Sequence, residues 1–187
     1  MPHARYPKEI LLKDGTEILI KVIGSGDNEA IKEFFDTTHI SYRWFLKEDP
    51  SDPRVIQKWI DNQAKGKCFA IVAEHGERIV STAALLLRPW GGRKHVARLR
   101  IMVAKEFRTK RLGTWMIFDL IKRAMEMGLE KVRADFVVGI EDLAIKAVRK
   151  LDFVEEGLLK DYIQDENGNY YDYKIMIKQL HKDWSDF

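Results

Sequence analysis

A basic loop in residues 103–115, VAKEFRTKRLGTW, separates an apolar strand from an amphipathic helix. The first N–H groups of a helix lack partners within it and carry partial positive charge, so they attract anions. Gly113 allows a backbone conformation or a close approach that a Cβ would hinder. Side chains of Arg108, Lys110 and Arg111 can neutralise phosphate oxygens. The spacing predicts a polyphosphate-binding loop, and a solvated basic turn is the alternative.

The charge distribution favours a small anionic ligand. The chain has 187 residues and a net charge of +3. Eight lysines or arginines and one acid, Glu106, lie between Arg93 and Arg111, whereas the segment after Glu141 is rich in acids. A local basic cluster in a near-neutral protein suggests a small anion rather than a long polyanion. We therefore expect no nucleic-acid partner. A nucleic-acid-binding surface on this cluster is the alternative.

Cysteine usage and hydropathy indicate the compartment. Cys68 is the only cysteine, so no internal disulfide can form, as is usual in a reducing compartment. The N-terminus lacks the apolar core of a signal peptide. No apolar run approaches the roughly 20 residues of a membrane span. The sequence predicts a cytoplasmic protein with no membrane partner and no metal site.

Apolar periodicity along the chain predicts one mixed α/β (α+β) domain over residues 1–187. Ser25 or Asp27 is expected to cap the first helix, and residues 42–53 are expected to form a loop. The expected elements are a hairpin around Asp14–Gly15, helices after Asp27 and from Pro53, strands at 67–74, 78–88 and 95–103, a helix at 112–127, a strand at 131–139, a helix at 141–151, and strands at 154–163 and 169–177.

Alternation in the strand at 95–103 divides its side chains between two faces. One face carries only apolar residues and the other carries two arginines. The apolar set is Ala97, Leu99, Ile101 and Val103, and the other set is Arg98, Arg100 and Met102. We expect the first set to face a core.

The segments 100–128 and 131–157 resemble the central motifs of the GNAT superfamily of acyl-CoA-dependent N-acyltransferases. In the family's loop pattern, Arg/Gln-x-x-Gly-x-Gly/Ala, the marked positions are Arg108, Arg111 and Gly113, so an arginine replaces the first glycine. The resemblance covers about residues 68–177 and leaves 178–187 as a tail. The stretch LKDGTEILIKVI near the N-terminus is similar to the Pat-type protein-lysine acetyltransferase branch.

The resemblance implies acetyl-CoA as cofactor and a central sheet that splays between its fourth and fifth strands, with helices on its flanks. The pantetheine arm would lie in the gap. Three sets of residues would bind the cofactor. They are the strand residues Ile101, Met102 and Val103, the loop residues Arg108, Thr109, Lys110, Arg111, Leu112, Gly113 and Thr114 through their backbone, and Ala144 and Lys146 on the opposite side.

Both of the family's usual proton-transfer positions differ in this chain. The customary Glu base is replaced by Arg98 and the customary Tyr acid by Val148. Asp135 is a candidate base, with an ion pair to Arg98 as the alternative. A water-mediated base without an essential side chain is also open. A tyrosine of the last two strands could protonate the departing thiolate or simply pack, and the candidates are Tyr162 and Tyr171, with Tyr173 beside them.

The acceptor site is assigned to two groups of residues. Arg98 and Arg100 would favour a substrate that carries a carboxylate, or an acidic protein segment. The alternative is that they pair with Asp135, Asp161 or Asp172. The connection bearing Tyr42, Trp44 and Phe45 overhangs the acceptor site in this fold, where it would grip an apolar acceptor or close the core.

The expected activity is acetyl-CoA-dependent N-acetylation of a primary amine, either a protein lysine or a small molecule. The alternative is a non-catalytic CoA-binding sensor of the same fold. A homodimer is one option for the assembly.

Overall fold

A computed structural model describes residues 5–180. Eight strands form one sheet in the order β1-β2-β3-β4-β5-β6-β8-β7. The strands are β1 (Lys8–Leu11), β2 (Glu17–Val22), β3 (Cys68–His75), β4 (Arg78–Leu86), β5 (Val96–Val103), β6 (Lys131–Val137), β7 (Val154–Gln164) and β8 (Tyr170–Gln179). The helices are α1 (Asn28–Thr37), α2 (Ile40–Arg43), α3 (Pro53–Ala64), α4 (Leu112–Glu126) and α5 (Asp142–Arg149).

Local chemistry explains where the helices begin. Asp52 caps α3 by accepting a hydrogen bond from the backbone N–H of Arg54, and Pro53 occupies the first turn. Ile56 and Ile60 then share the buried stripe of that helix. Asp27 also stands at a helix start, but its carboxylate accepts from the Gly24 N–H and does not cap α1.

Helices cover both faces of the sheet, and the alternation of β5 matches this arrangement. The apolar set of β5 packs in the core under α4 and α5, whereas Met102 packs in the second core under α1 and α3. The predicted division of the strand into two faces is therefore confirmed. Arg98 and Arg100 lie on the second face, where they must be partnered or solvated.

The sheet opens between β5 and β6. These parallel strands pair only from Val96↔Lys131 to Leu99↔Ala134, although both continue further. Residues 100–103 keep their pairing with β4, so their other backbone edge faces the gap. This confirms the expected splay. The gap lies between the fifth and sixth strands of this chain, where the family resemblance implied the fourth and fifth. The numbers differ because both strands of the first hairpin are counted here.

Several element boundaries differ by one or two residues from the sequence expectation, and two of the differences have a clear cause. The predicted loop at 42–53 begins inside α2, a single turn that is too short for periodicity to detect. The expected tail begins inside β8, because Lys178 and Gln179 continue the strand opposite Val132 and Lys131. The remainder of that tail, 181–187, lies outside the described residues. Within residues 5–180, no helix is long and apolar enough to cross a membrane.

Candidate functional site

A cavity of about 400 Å³ extends from the gap between β5 and β6 to the space beneath α1 and α3. Its polar end contains Arg100, Asp135, Glu141 and Tyr173. Its opposite end is built from both helices and β3 and contains apolar side chains together with Glu48, Lys58 and Asn62. The size lies within the usual range for small-molecule sites, about 300–1,000 Å³. The cavity therefore joins the splay to the space between the sheet and the two helices.

The first turn of α4 presents free backbone donors beside this gap. Arg111 precedes the helix in the left-handed conformation, with φ 71°, and no side chain within residues 5–180 caps the helix. By helix geometry, the N–H groups that follow lack partners inside the helix. The Leu112 side chain is fully buried, so only its backbone can contact a ligand. The turn can bind an anion through main-chain donors.

Gly113 faces two side chains of β5 at the start of α4. A Cβ built at this position would lie 3.5 Å from Val103 Cγ2 and 3.7 Å from Ile101 Cδ1. The left-handed conformation in this loop belongs to Thr109 and Arg111 instead. Gly113 has no positive φ, so the backbone reason that the sequence suggested does not apply. A Cβ alone would make ordinary contacts, whereas a longer side chain would meet Val103 and Ile101.

The three cations of the loop have different surroundings. The guanidinium of Arg108 stacks 4.0 Å from the centre of the Tyr42 ring, and its Nε donates to the Val103 carbonyl at 3.0 Å. Lys110 Nζ lies 2.9 Å from the Asp14 carboxylate. Arg111 is exposed and has no side-chain partner in the described part of the chain. Only Arg111 is thus free to meet phosphate without breaking a contact.

The expected strand contacts to a pantetheine arm are only partly open. The Val103 carbonyl already accepts from Arg108 Nε, which leaves one lone pair for a ligand. The Met102 carbonyl accepts from Ser81 Oγ at 2.8 Å. Ala144 and Lys146 lie on α5, partly buried and exposed respectively, and neither lines the cavity.

Asp135 is held in a buried ion-pair cluster. Its side chain is 1% exposed, Arg133 Nε donates to Oδ1 at 2.6 Å, and Arg98 Nη2 lies 2.7 Å from Oδ2. The contact with Arg98 is an ion pair without a hydrogen bond, because its angles are unfavourable for one. Both carboxylate oxygens face arginines, so the geometry favours the ion-pair alternative over a base.

Among the tyrosines of β7 and β8, Tyr173 is the one that lines the cavity. Arg98 Nη2 donates to its hydroxyl oxygen at 2.8 Å, which leaves the hydroxyl hydrogen free to donate elsewhere. Burial raises the pKa of Tyr173, and the nearby Asp135 carboxylate adds to that rise. The phenol is consequently protonated at neutral pH and can act as a proton donor.

The two tyrosines favoured by the sequence lie elsewhere. Tyr162 is 62% exposed on β7, and its ring packs against Tyr173. Tyr171 donates to the Asp165 carboxylate at 3.2 Å, outside the main cavity. Trp44 is also outside the cavity, where its indole donates to the Gln164 carbonyl, whereas Tyr42 does line it.

Glu141 is a polar group in the cavity to which the sequence gave no chemical role. It precedes α5, and one carboxylate oxygen accepts from the Val137 N–H at 2.7 Å. Burial raises the pKa of Glu141, while the Val137 hydrogen bond and the charge of Arg100 oppose that rise. The sequence signal that could have found this residue was its position. The GNAT pattern usually has an asparagine before this helix, and this chain has Glu141 there.

Comparisons with known proteins identify similar sequences and similar folds. A model described as the acetyltransferase (GNAT) family matches residues 30–153. A structure from Salmonella typhimurium, described as an acetyltransferase with its cofactor acetyl-CoA, is 18% identical with a TM-score of 0.77, over 89% of this chain and 96% of that one.

Two further solved structures share the fold. The ribosomal-protein-alanine N-acetyltransferase of Brucella melitensis is 25% identical with a TM-score of 0.73, covering 87% of this chain and 99% of that one. The ribosomal-protein-S5-alanine acetyltransferase of Vibrio fischeri is 17% identical with a TM-score of 0.75, covering 95% and 98%. No curated protein matches the sequence.

Proposed function

The chain belongs to the GNAT family of acetyltransferases, which use acetyl-CoA, and from this premise we propose that it transfers acetyl directly to a primary amine. The observation that carries the proposal is the cavity at the splay, because it brings Glu141 and Tyr173 to one gap beside the free donors of α4. Both kinds of acceptor named above, a protein lysine or a small molecule, satisfy this chemistry.

The residues at the gap fit the cofactor that the family uses. The uncapped first turn of α4 and the free guanidinium of Arg111 suit a diphosphate. The open edge of β5 beyond Leu99 suits an extended amide-bearing arm. When bound, acetyl-CoA supplies an acetyl thioester.

Glu141 and Tyr173 replace the missing proton-transfer groups in this proposal. The acceptor must lose a proton to become a nucleophile, and Glu141 has one oxygen not used by Val137 to accept it. Tyr173 keeps its hydroxyl hydrogen available for the departing sulfur because Arg98 donates to its oxygen. The base role thus moves from Asp135 to Glu141, and the acid role from Tyr162 and Tyr171 to Tyr173.

The first test is the packing of α4 on β5. We expect Gly113→Val to raise the KM for acetyl-CoA at least tenfold. Its γ-methyl groups would have to enter space where a Cβ already meets Val103 and Ile101, which displaces the start of the helix. Gly113→Ala, whose Cβ makes ordinary contacts, is the matched control and should have a much smaller effect. Unchanged kinetics for Gly113→Val would contradict the assigned loop.

A second test concerns the proton donor. We expect Tyr173→Phe to lower kcat roughly tenfold, less than a full acid–base contribution because water at the gap can replace the phenol. Tyr170→Phe, on the exposed end of β8, should leave kcat unchanged. Equal activities of wild type and Tyr173→Phe would remove Tyr173 from the mechanism.

Thiol release separates transfer from binding alone. Acetyl-CoA is incubated with the protein and a panel of primary amines while free thiol is measured, and calorimetry reports binding. Acetyl transfer predicts thiol release with at least one amine. Binding without release across the panel would support the sensor function instead.

A further inference from the structure

We propose that the acceptor is a free α-amino acid with an apolar side chain, whose carboxylate binds Arg100 and whose ammonium binds Glu141. This inference rests on the proposed function and names its substrate class. It depends on two unpaired charges of opposite sign in one cavity.

Arg100 is the unpaired cation. It is partly buried and lines the cavity, and within residues 5–180 its guanidinium has no hydrogen bond or ion pair. The nearby carboxylate of Asp135 is already taken by Arg98 and Arg133. Burial and the charge of Arg98 lower the pKa of Arg100, so its charge is poorly compensated. A planar guanidinium in this state binds carboxylate strongly, often through two hydrogen bonds.

Glu141 supplies the complementary charge. It interacts electrostatically with Arg100, yet no ion pair joins the two side chains in the described structure. An amino-acid zwitterion would satisfy both groups, with its ammonium at Glu141 and its carboxylate at Arg100. The ε-amine of a protein lysine has no carboxylate beside it, so it would leave Arg100 unpaired and add a like charge next to it.

The remaining cavity wall selects an apolar side chain. Away from Arg100 and Glu141 it contains Ile31 and Phe35 of α1, Trp59 of α3, and Val72 of β3. Lys47, Lys67 and the ion pair of Lys58 with Glu48 also line it. The rings of Phe35 and Trp59 meet edge to face, with centres 5.5 Å apart. These four side chains gain by covering apolar surface, which favours an acceptor with an apolar side chain.

The transfer balances with these groups. One ammonium proton passes to Glu141 and then to water. The neutral nitrogen bonds to the acetyl carbon while the carbon–sulfur bond breaks and Tyr173 protonates the departing sulfur. The second nitrogen proton then passes through water to the Tyr173 phenolate and restores its hydroxyl. The products are an N-acetyl amino acid, free CoA thiol and one released proton.

Matched pairs of acceptors test the assignment. kcat/KM is measured for L-phenylalanine against 2-phenylethylamine and for L-leucine against 3-methylbutylamine, which differ only by the carboxylate. A peptide with blocked ends and one lysine is the third kind of acceptor. We expect each amino acid to exceed its decarboxylated partner at least tenfold, and to exceed the peptide.

Substitutions at Arg100 connect the preference to this side chain. Arg100→Gln should bring the ratio within each pair close to one, and Arg100→Lys should give an intermediate ratio. Arg88→Gln is the matched control, because Arg88 is exposed and outside the cavity lining. It should keep the wild-type ratio.

The outcomes distinguish this inference from the proposed function. Equal rates within each pair, or a preference for the peptide lysine, would overturn the amino-acid assignment and leave amine acetylation intact. Binding of acetyl-CoA with no acetylation of any amine would defeat the proposed function itself. The wild-type ratios decide the question even if Arg100→Gln does not fold.

Discussion

Glu141→Gln is expected to lower kcat for amine acetylation by about a hundredfold or more, the lower end of what a general base contributes. Glutamine keeps the shape of the side chain, and its carbonyl oxygen can still accept from the Val137 N–H. It cannot take a proton from the acceptor. Steady-state thiol release at saturating acetyl-CoA measures the effect.

The pH profile gives a second signature of this base. Burial raises the pKa of Glu141, and nearby Asp135 raises it further, while the Val137 hydrogen bond and Arg100 lower it. Tyr173 and Arg98 complete the polar groups around the gap. The net shift is upward, so kcat/KM should rise with pH through an acidic limb above 4.5, the ordinary glutamate value. That limb should be absent in Glu141→Gln.

A stability measurement shows whether Glu141→Gln loses activity through catalysis or through unfolding. A folded-state pKa above the unfolded value gives stability that is present below the unfolded pKa and lost as pH rises through the folded one. At neutral pH the glutamine variant should therefore be at least as stable as wild type towards urea. Glu156→Gln, an exposed change on β7, is the control for activity. A retained acidic limb in Glu141→Gln would show that the base lies elsewhere.

Asp135→Asn is expected to lower the free energy of unfolding by about 3 kcal/mol, the lower end for breaking a buried ion pair. The carboxylate is 1% exposed and faces two arginines, so an amide leaves their charges without compensation. The side chains of Arg98 and Arg133 are about a third exposed and can recover part of the loss from water. Urea unfolding at constant m-value measures the change.

The same variant decides between the two roles considered for Asp135. Asp172→Asn, in which the replaced carboxylate only accepts from the exposed Asp161 N–H, is the control and should change stability by less than about 0.5 kcal/mol. The folded Asp135→Asn protein should keep the acidic limb of the pH profile. Disappearance of that limb with stability unchanged would restore Asp135 as the base.

Local patterns along the chain determined most elements and the faces of β5. Asp52 and Pro53 start α3, and alternation places Ala97 and Leu99 in a core, because caps and periodicity act within a few residues. The same locality identified the basic loop and the helix that follows it. The resemblance in these segments sufficed to predict the family, the splayed sheet and the cofactor.

Only the tertiary structure decided which polar groups share the gap. Tyr173 stands opposite Val137 in the pairing of β8 with β6, and this register brings its hydroxyl to Arg98. The Asp135 carboxylate forms ion pairs with Arg98 and Arg133, and Arg100 has no ion pair within residues 5–180.

These partners lie on strands that are distant in sequence. A shift of one residue in strand register would turn each side chain to the opposite face. Local sequence places a residue on its strand, but the pairing between strands sets which charges meet, and the chemistry of this site depends on that pairing.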